Sequence, residues 1–350
     1  MNCCIECFKD THIRSTIEKH GIKGNCDFCS SKNIFVYDIT VDTYQISDKL
    51  IGLVQMYAVS DDVNAKFLKK VLYDDWDIFN VESEIIQTLI KKVYMLAYQD
   101  NFDIFTKKVS IPQLSDPEFL HTFGVVRDSS WSEFSNSIKY KNRFHSGMFN
   151  ADVFASFLSF VVKVYSPGSN FFRARISSDN IGFTKENMGA PPIERRCEGR
   201  INPSGISVLY LSSDYETILN EVRATIFDYV TIGEFKPKRD IKVVNLSGIS
   251  EISPFLYQGE LEKYAANRKV FQEIAKELAK PLRRSDSPLE YLPTQYIAEF
   301  IKSQGYDGVE YASTLKKGGY NLAIFDENLF ECIGTKAVEI NSVNYDFSRL

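Results

Sequence analysis

A turn, a strand and a helix are predicted in direct succession between residues 202 and 222, and this order constrains the fold more than any other part of the chain. Asn202-Pro203-Ser204-Gly205 has the residue preferences of a type I turn. The mostly apolar run Ile206–Leu211 predicts a strand that is buried on both faces. Ser213, with Glu216 three residues later, predicts a capping box. The sequence therefore predicts a helix that follows directly on a buried strand.

Three polar side chains of this segment form a candidate site. Arg200 precedes the turn, Tyr210 lies in the strand and Glu221 lies on the helix. A guanidinium binds phosphate oxygens in pairs, an aromatic ring stacks on a planar ligand, and a fixed carboxylate stabilises the positive charge of a breaking glycosidic bond. These groups suit an anionic, aromatic ligand such as NAD. Each also has a structural explanation: an ion-paired loop arginine, a core tyrosine and a solvated glutamate.

The wider pattern resembles the RES domain, a family of bacterial toxins named for an arginine, a glutamate and a serine. The matching residues are Pro191-Pro192, Gly199-Arg200, Asn202-Pro203, Gly205-Ile206, Tyr210, Thr217 and Glu221-Val222-Arg223. Upstream, Phe171–Arg175 is similar to the opening strand of the family. Downstream, Gly305–Ser313 resembles the segment that carries the family's serine. The resemblance covers roughly residues 155–335.

The resemblance implies a fold and an activity. RES toxins are similar in fold to ADP-ribosyltransferases, so the expected class is α+β, with a mixed, curved sheet and flanking helices. They cleave the nicotinamide–ribose bond of NAD, with water or phosphate as acceptor. The implied catalytic residues are Arg200, Tyr210, Glu221 and Ser313, and the implied NAD contacts are Arg173, Arg200, Tyr210 and Ser313. Arg175 lies on the same side of the strand as Arg173; Arg173 is preferred, and the choice stays open.

Two Cys-x-x-Cys pairs near the N-terminus predict a structural zinc site. The expected ligands are Cys4, Cys7, Cys26 and Cys29. Thiolates favour zinc, and a short segment of this kind gains its folding energy from the metal. Cys3 is an alternative to Cys4, whereas His12 and His20 are less favoured. Reduced structural cysteines or disulfides are the alternative to a metal site.

The N-terminal segment also resembles the domain that precedes RES and HEPN effector domains, through Cys4–Asp10 and Cys26–Cys29, with Asp75–Phe79 as its continuation. The predicted order is a zinc module at 1–45, a mainly helical region at 46–150 and a RES domain at 155–335. RES toxins usually have a separate antitoxin, so an antitoxin or a trigger protein is an expected partner. The hypothesis for the zinc region is that it senses a trigger or restrains the catalytic domain, for example in anti-phage defence.

Composition limits the remaining classes. A net charge of −5 and an isoelectric point near 5.6 argue against general nucleic-acid binding, which requires neutralisation of phosphates. We find neither a signal peptide nor an apolar run that could span a membrane. With Cys197 and Cys332 expected as unpaired thiols, a reducing cytoplasm is predicted. A homo-oligomer, an ADP-ribosyltransferase that modifies a macromolecule, and a catalytically inactive zinc-dependent binding protein stay open.

Overall fold

A computed structural model of the protein describes residues 1–41, 45–192, 198–256, 260–280 and 287–344. The chain forms two compact units, and each is described by itself. The first unit comprises Met1–Gly124 and Ile252–Arg268, and the second comprises Val125–Glu251 and Lys269–Leu350. The predicted domain boundaries at residues 45 and 150 do not coincide with the edges of these units.

The first unit begins with a small antiparallel sheet and one helix. The elements are β1 (Asn2–Cys4), α1 (Thr11–Lys19), β2 (Lys23–Gly24) and β3 (Ile34–Asp38), with the strand order β1-β3-β2. Asp10 begins α1, because its Oδ1 accepts a hydrogen bond of 2.9 Å from the Ile13 amide. Ile13 and Ile17, one turn apart, form the buried face of this helix.

The rest of the first unit is mainly helical, as predicted for the middle region. Its elements are α2 (Ile46–Gln55), β4 (Ala58–Val59), β5 (Lys66–Phe67), α3 (Leu68–Asp74), α4 (Ser83–Ala97), β6 (Lys108–Ser110) and α5 (Pro117–Phe123). The three strands form a second antiparallel sheet in the order β4-β6-β5, which the sequence analysis did not predict. Trp76 lies in the core of this unit, and its indole donates to Tyr57 Oη at 2.6 Å.

The second unit contains an eight-stranded mixed sheet. Its strands are β7 (Val162–Tyr165), β8 (Phe171–Ser177), β9 (Leu209–Ser212), β10 (Tyr229–Pro237), β11 (Ile241–Asn245), β12 (Gly308–Ala312), β13 (Tyr320–Ile324) and β14 (Phe330–Glu339). They are arranged in the order β14-β10-β8-β9-β13-β12-β11-β7. The β11–β12 pair is parallel and the other pairs are antiparallel. The predicted α+β class with a mixed sheet is confirmed.

Within the described residues, five helices accompany this sheet, and one of them is divided between the units. They are α6 (Trp131–Tyr140), α7 (Ala151–Leu158), α8 (Tyr215–Glu221), α9 (Leu261–Ala279) and α10 (Leu292–Ser303). The division falls inside α9, after Arg268. No helix within the described ranges is long and apolar enough to cross a membrane.

Aromatic packing explains why α6 belongs to the second unit rather than to the predicted helical middle region. Phe134 of α6 packs against Tyr296 of α10, with ring centroids 5.3 Å apart. Phe154 of α7 packs in the same way against Phe271 and Phe300, at 6.4 Å and 5.8 Å. These rings come from distant parts of the chain, so a boundary drawn from local composition does not find the unit.

The turn before β9 lies one residue later than predicted. The Ile206 amide donates to the Pro203 carbonyl at 3.3 Å, and Gly205 has φ +84°. A positive φ at the third position is typical of a type II turn, so the predicted type I turn is wrong. Asn202, expected to begin the turn, instead uses its Oδ1 to accept a hydrogen bond from Tyr210. The strand accordingly begins at Leu209 rather than at Ile206.

The start of α8 also differs from the prediction by one residue. Asp214 is the N-cap, and its Oδ1 accepts from the Thr217 amide at 2.9 Å. Ser213, the predicted cap, donates to Asp214 Oδ2, while Lys316 forms an ion pair with the same carboxylate. These contacts hold the pKa of Asp214 below its usual range despite some desolvation, so an ionised carboxylate caps the helix. The capping box at Ser213 and Glu216 is therefore wrong.

Candidate active site and candidate metal site

A cleft of about 320 Å³ lies within the second unit and gathers most of the predicted site. The side chains that line it include Arg173, Arg200, Tyr210, Glu221, Tyr291 and Tyr311. The cleft forms where β8 and β9 separate, because the described parts of these strands pair at one register position, Phe172 with Ser212. Carbonyl groups of β9 beyond that position are then available to side chains. Four of the predicted site residues, Arg173, Arg200, Tyr210 and Glu221, meet here.

Arg173 enters the opening between these two strands. Its Nη1 donates to the Tyr210 carbonyl at 3.0 Å, whereas its buried Nε has no hydrogen-bond partner. Desolvation by burial, followed by the nearby charge of Arg175, lowers the pKa of Arg173 to about 10. No carboxylate of the described residues lies within ion-pair distance of it. Arg175 donates instead to the Gly189 carbonyl at 2.6 Å and does not line the cleft.

Arg200 lies in the same cleft, packed on an aromatic face. Its Cζ is 5.1 Å from the centroid of the Tyr311 ring, a cation–π contact. Its Nε is also buried without a hydrogen-bond partner. A buried donor without a partner costs free energy unless a ligand or another polar group meets it. The cleft therefore offers two positively charged groups whose donors the described protein atoms do not fully use.

Side chains of α10 hold the loop that carries Arg200. Thr294 Oγ1 lies 2.6 Å from the Arg200 carbonyl, and Gln295 Nε2 donates to the carbonyls of Gly199 and Asn202 at 2.8 and 3.0 Å. Both α10 side chains are almost fully buried. The helix α10 thus fixes the backbone on both sides of Arg200.

Tyr210 fixes the same loop from the strand. Its hydroxyl donates to Asn202 Oδ1 at 2.7 Å and accepts from the Ile201 amide at 3.2 Å, and burial raises its pKa to about 12. A Cβ at Gly199 would lie 2.8 Å from both the Tyr210 hydroxyl and Asn202 Oδ1, so the close approach requires glycine. The hydroxyl of Tyr210 is therefore engaged in loop structure.

We expect Tyr210→Phe to lower the free energy of unfolding by about 1–3 kcal/mol, because it leaves buried polar groups of the loop without their partner. Chemical denaturation of the purified protein measures this loss. Tyr215→Phe, at an exposed tyrosine of α8, is the matched control and should be nearly neutral. Equal stability of the Tyr210→Phe variant and the natural protein would contradict the assignment.

Glu221 is oriented by two hydrogen bonds to one of its oxygens. Its Oε1 accepts from Ser313 Oγ at 2.8 Å and from Asn321 Nδ2 at 2.7 Å. Ser212 Oγ donates in turn to Asn321 Oδ1 at 2.5 Å. No described residue hydrogen-bonds the second oxygen, Oε2. The carboxylate at the end of α8 therefore has one oxygen engaged and one available to a ligand.

Ser313 contacts the site through Glu221 rather than by lining the cleft. It lies just beyond β12 and is 8% exposed. Its amide donates to the Gly319 carbonyl at 2.9 Å, which fixes the loop between β12 and β13. The family-based role for Ser313, a contact to a ribose hydroxyl or to the nicotinamide amide, stays a prediction.

Three further cleft residues were not predicted from the sequence as parts of the site: Asn321, Tyr291 and Tyr311. Asn321 precedes the three apolar residues Leu322–Ile324 in β13, and a buried side-chain amide in such a strand needs a hydrogen-bond partner. That pattern could have identified it. Tyr291 and Tyr311 have no comparable pattern, because tyrosine is common in cores.

The four predicted zinc ligands meet in the first unit. The sulfur atoms of Cys4, Cys7, Cys26 and Cys29 all lie within 4.8 Å of one another. Cys4–Cys29, Cys7–Cys26 and Cys4–Cys7 are separated by 3.3, 3.6 and 3.9 Å. A tetrahedron with zinc–sulfur bonds of about 2.3 Å has sulfur–sulfur edges of roughly 3.8 Å. The arrangement thus fits a tetrahedral zinc ion.

Backbone amides complete this cluster. The amides of Phe28 and Cys29 donate to Cys26 Sγ at 3.4 and 3.5 Å, as expected where a tight turn holds a thiolate. Cys3 is fully buried beside the cluster but lies outside the four-sulfur group. His12 contacts Lys49 Nζ at 2.6 Å, and His20 is exposed. The geometry therefore favours Cys4 over Cys3 and favours neither histidine.

Comparison with protein families matches residues 171–347 to the RES domain. The match covers half of the chain. The chain belongs to the RES domain family. The matched range begins and ends later than the predicted 155–335, and the resemblance of the N-terminal segment to a HEPN- and RES-associated domain stays a prediction.

Two further comparisons add little. A comparison with curated proteins found no match. Among solved structures, a chain in the crystal structure of the M. tuberculosis MbcT–MbcA toxin–antitoxin complex is similar at 11% identity and a TM-score of 0.31, over 53% of this chain and 91% of that chain. A similarity this low supports no inference about activity.

Proposed function

We propose that this RES domain protein cleaves the nicotinamide–ribose bond of NAD. The observation that carries the proposal is that two arginines, each with a buried Nε that has no hydrogen-bond partner, line the same cleft as an oriented carboxylate. The charge of the arginines suits a diphosphate, and the carboxylate suits the reacting ribose. The cleft volume of about 320 Å³ lies at the lower end of the range usual for small-molecule sites.

Arg173 and Arg200 would bind the diphosphate. Each has a buried Nε without a partner, so each keeps an unused donor. A guanidinium offers its donors in a planar fork that matches two oxygens of a phosphate group, which a lysine does not. Binding an anion would also offset the cost of desolvating the Arg173 guanidinium.

Glu221 would act at the ribose. When the C1′–N1 bond breaks, its electron pair moves to the nicotinamide nitrogen and neutralises the pyridinium charge, while positive charge develops on the ribose. The carboxylate stabilises that charge. The acceptor, water or phosphate, then bonds to C1′, and Glu221 Oε2 would accept its proton when the acceptor is water. The contacts from Ser313 and Asn321 keep the carboxylate in position for this step.

Tyr291 is the cleft tyrosine that we propose for stacking on nicotinamide. The hydroxyl of Tyr210 is engaged in the Arg200 loop, and the ring of Tyr311 is covered by Arg200. The side chain of Tyr291 has neither a hydrogen bond nor a ring contact within the described residues. Its backbone carbonyl lies 2.9 Å from Thr294 Oγ1, which also contacts the Arg200 carbonyl. The same threonine hydroxyl therefore holds the backbone at both Tyr291 and Arg200.

We expect Tyr291→Ala to raise the KM for NAD roughly 10-fold, because base–aromatic stacking contributes about 1–3 kcal/mol. Tyr291→Phe keeps the ring and should stay within about 2-fold of the natural protein. Steady-state kinetics of nicotinamide release measures both. A similar loss in the Phe and Ala variants would point to the hydroxyl, and no loss in either would exclude Tyr291 from the NAD site.

Mass spectrometry of the reaction products tests the proposed function. The purified full-length protein is incubated with NAD in buffer, with added phosphate, and with cell extract. Free ADP-ribose indicates hydrolysis, a phosphorylated ADP-ribose indicates phosphorolysis, and ADP-ribosylated macromolecules indicate a transferase. Cellular NAD after induction is measured in parallel. Intact NAD in cells and in every reaction would contradict the proposal and favour the binding-protein alternative.

The proposed setting is that of a toxin or defence effector under the control of an antitoxin or a trigger. An enzyme that consumes NAD without restraint would arrest its own cell, so control is a requirement of the activity itself. We further propose that zinc, held by the four cysteines, has a structural role in the first unit. Residence in the cytoplasm, where NAD is available, is part of the same proposal.

A further inference from the structure

We infer that Asn321 and Ser212 form a positioning relay for Glu221, which makes them further determinants of the proposed reaction. The inference rests on the proposed NAD-cleaving function. Neither residue belongs to the arginine, glutamate and serine for which the family is named. Both are buried strand residues, with exposures of 3% for Asn321 and 1% for Ser212.

The direction of each hydrogen bond in the relay follows from Glu221. An ionised carboxylate only accepts hydrogen bonds, so the Asn321 atom 2.7 Å from Glu221 Oε1 must be the amide nitrogen. The amide oxygen of Asn321 then faces Ser212, whose hydroxyl must donate at 2.5 Å. The amide of Asn321 cannot flip without losing its bond to Glu221, because its oxygen would then face a second acceptor.

The strand register sets the relay in place. Ser212 of β9 and Asn321 of β13 are directly paired across the antiparallel ladder. Residues paired in this way lie on the same face of a sheet with their Cβ atoms about 4.5–5.5 Å apart. The sheet itself therefore holds the serine against the amide, and the amide against the end of α8.

Two donors from different segments restrict the carboxylate more than one would. Asn321 approaches Oε1 from β13, and Ser313 approaches it from the loop after β12. A glutamate side chain on a helix end is otherwise free to rotate, and that freedom would have to be lost in the transition state. Fixing Oε1 at two points keeps Oε2 available before the substrate binds.

A double-mutant cycle on nicotinamide release tests the relay. We expect Asn321→Ala to lower kcat about 10- to 100-fold and to change the KM for NAD less than about 2-fold. A shift of a catalytic group by about 1 Å typically reduces the rate by this order. In a Glu221→Gln background, the same substitution should cause little further loss, since a residue that acts through Glu221 cannot act without it. Ser212→Ala should lower kcat in the same direction by a smaller factor.

The outcomes separate the relay from the proposed function. An equal loss from Asn321→Ala in both backgrounds, or a raised KM with unchanged kcat, would overturn the relay while NAD cleavage stands. Absence of cleavage by the natural protein would overturn the function, and the relay is then judged by the crystal structure of Asn321→Ala. There the Glu221 carboxylate should leave its present position, and an unmoved carboxylate would refute the relay. Ser212→Ala serves if Asn321→Ala does not fold.

Discussion

Replacing Glu221 with glutamine is expected to lower the rate of nicotinamide release by about 10²–10³-fold, the loss typical for a group that acts on developing charge. The amide has nearly the same shape, so it can keep contacts with Ser313 and Asn321. It carries no negative charge, however, and accepts a proton poorly. The loss should therefore appear in kcat, with NAD binding largely retained. Single-turnover measurements with saturating NAD test this.

Glu216→Gln is the matched control for this experiment. Glu216 lies on the same helix, its side chain is 71% exposed, and it contacts Lys316 on the surface. Removing its charge should change the rate less than about 2-fold, since exposed ion pairs contribute little. The same comparison in cells should show NAD loss with the natural protein and with Glu216→Gln, but not with Glu221→Gln. Equal rates in the two purified variants would exclude Glu221 from the chemistry.

Loss of the metal is expected to unfold the N-terminal part of the first unit. A structural zinc ion supplies apparent binding free energies of about 10–16 kcal/mol in small domains, more than a segment of this size gains from its core. Elemental analysis should find one zinc per chain in the natural protein and none in Cys7→Ser. Hydrogen exchange should then lose its protection in β1, α1 and β3. Full protection after chelation would contradict a structural metal.

Cys332→Ser is the control for the metal site. Cys332 is a partly exposed free thiol of β14, outside the four-sulfur group. Its replacement should leave zinc content and N-terminal protection unchanged. A drop in zinc content in this variant would show that loss of any thiol, rather than of a ligand, causes the effect.

The Cys7→Ser variant also tests whether the zinc region restrains catalysis. Deletion of residues 1–150 is unsuitable, because it removes α6 from the second unit and leaves Ile252–Arg268 of the first unit behind. Cys7→Ser instead disturbs the first unit from within. If the region restrains the enzyme, this variant should deplete cellular NAD faster than the natural protein at matched expression. Unchanged depletion would refute the hypothesis.

The sequence by itself determined the local elements with strong periodic patterns and the residue types of the two sites. In the helix at Leu261–Ala279, for example, Phe271, Ile274 and Leu278 repeat at helical spacing, a pattern visible in the sequence. Cysteine spacing predicted the four thiols that meet, with Cys3 left as an alternative to Cys4. The turn before β9 and the N-cap of α8 each lie one residue later than predicted. Neighbouring residues can form a similar turn or cap, and the choice depends on contacts of Asn202 with Tyr210 and of Asp214 with Lys316.

The tertiary structure decided how the site residues are used. Glu221 is oriented by residues 92 and 100 positions away in the chain, and the register between β9 and β13 brings Ser212 to Asn321. The hydroxyl of Tyr210 is engaged by Asn202 through the shape of the loop. Periodicity and spacing report only on contacts within a few residues, whereas the bonds of Asn321 to Glu221 and Ser212 exist because segments distant in sequence become neighbours around one sheet.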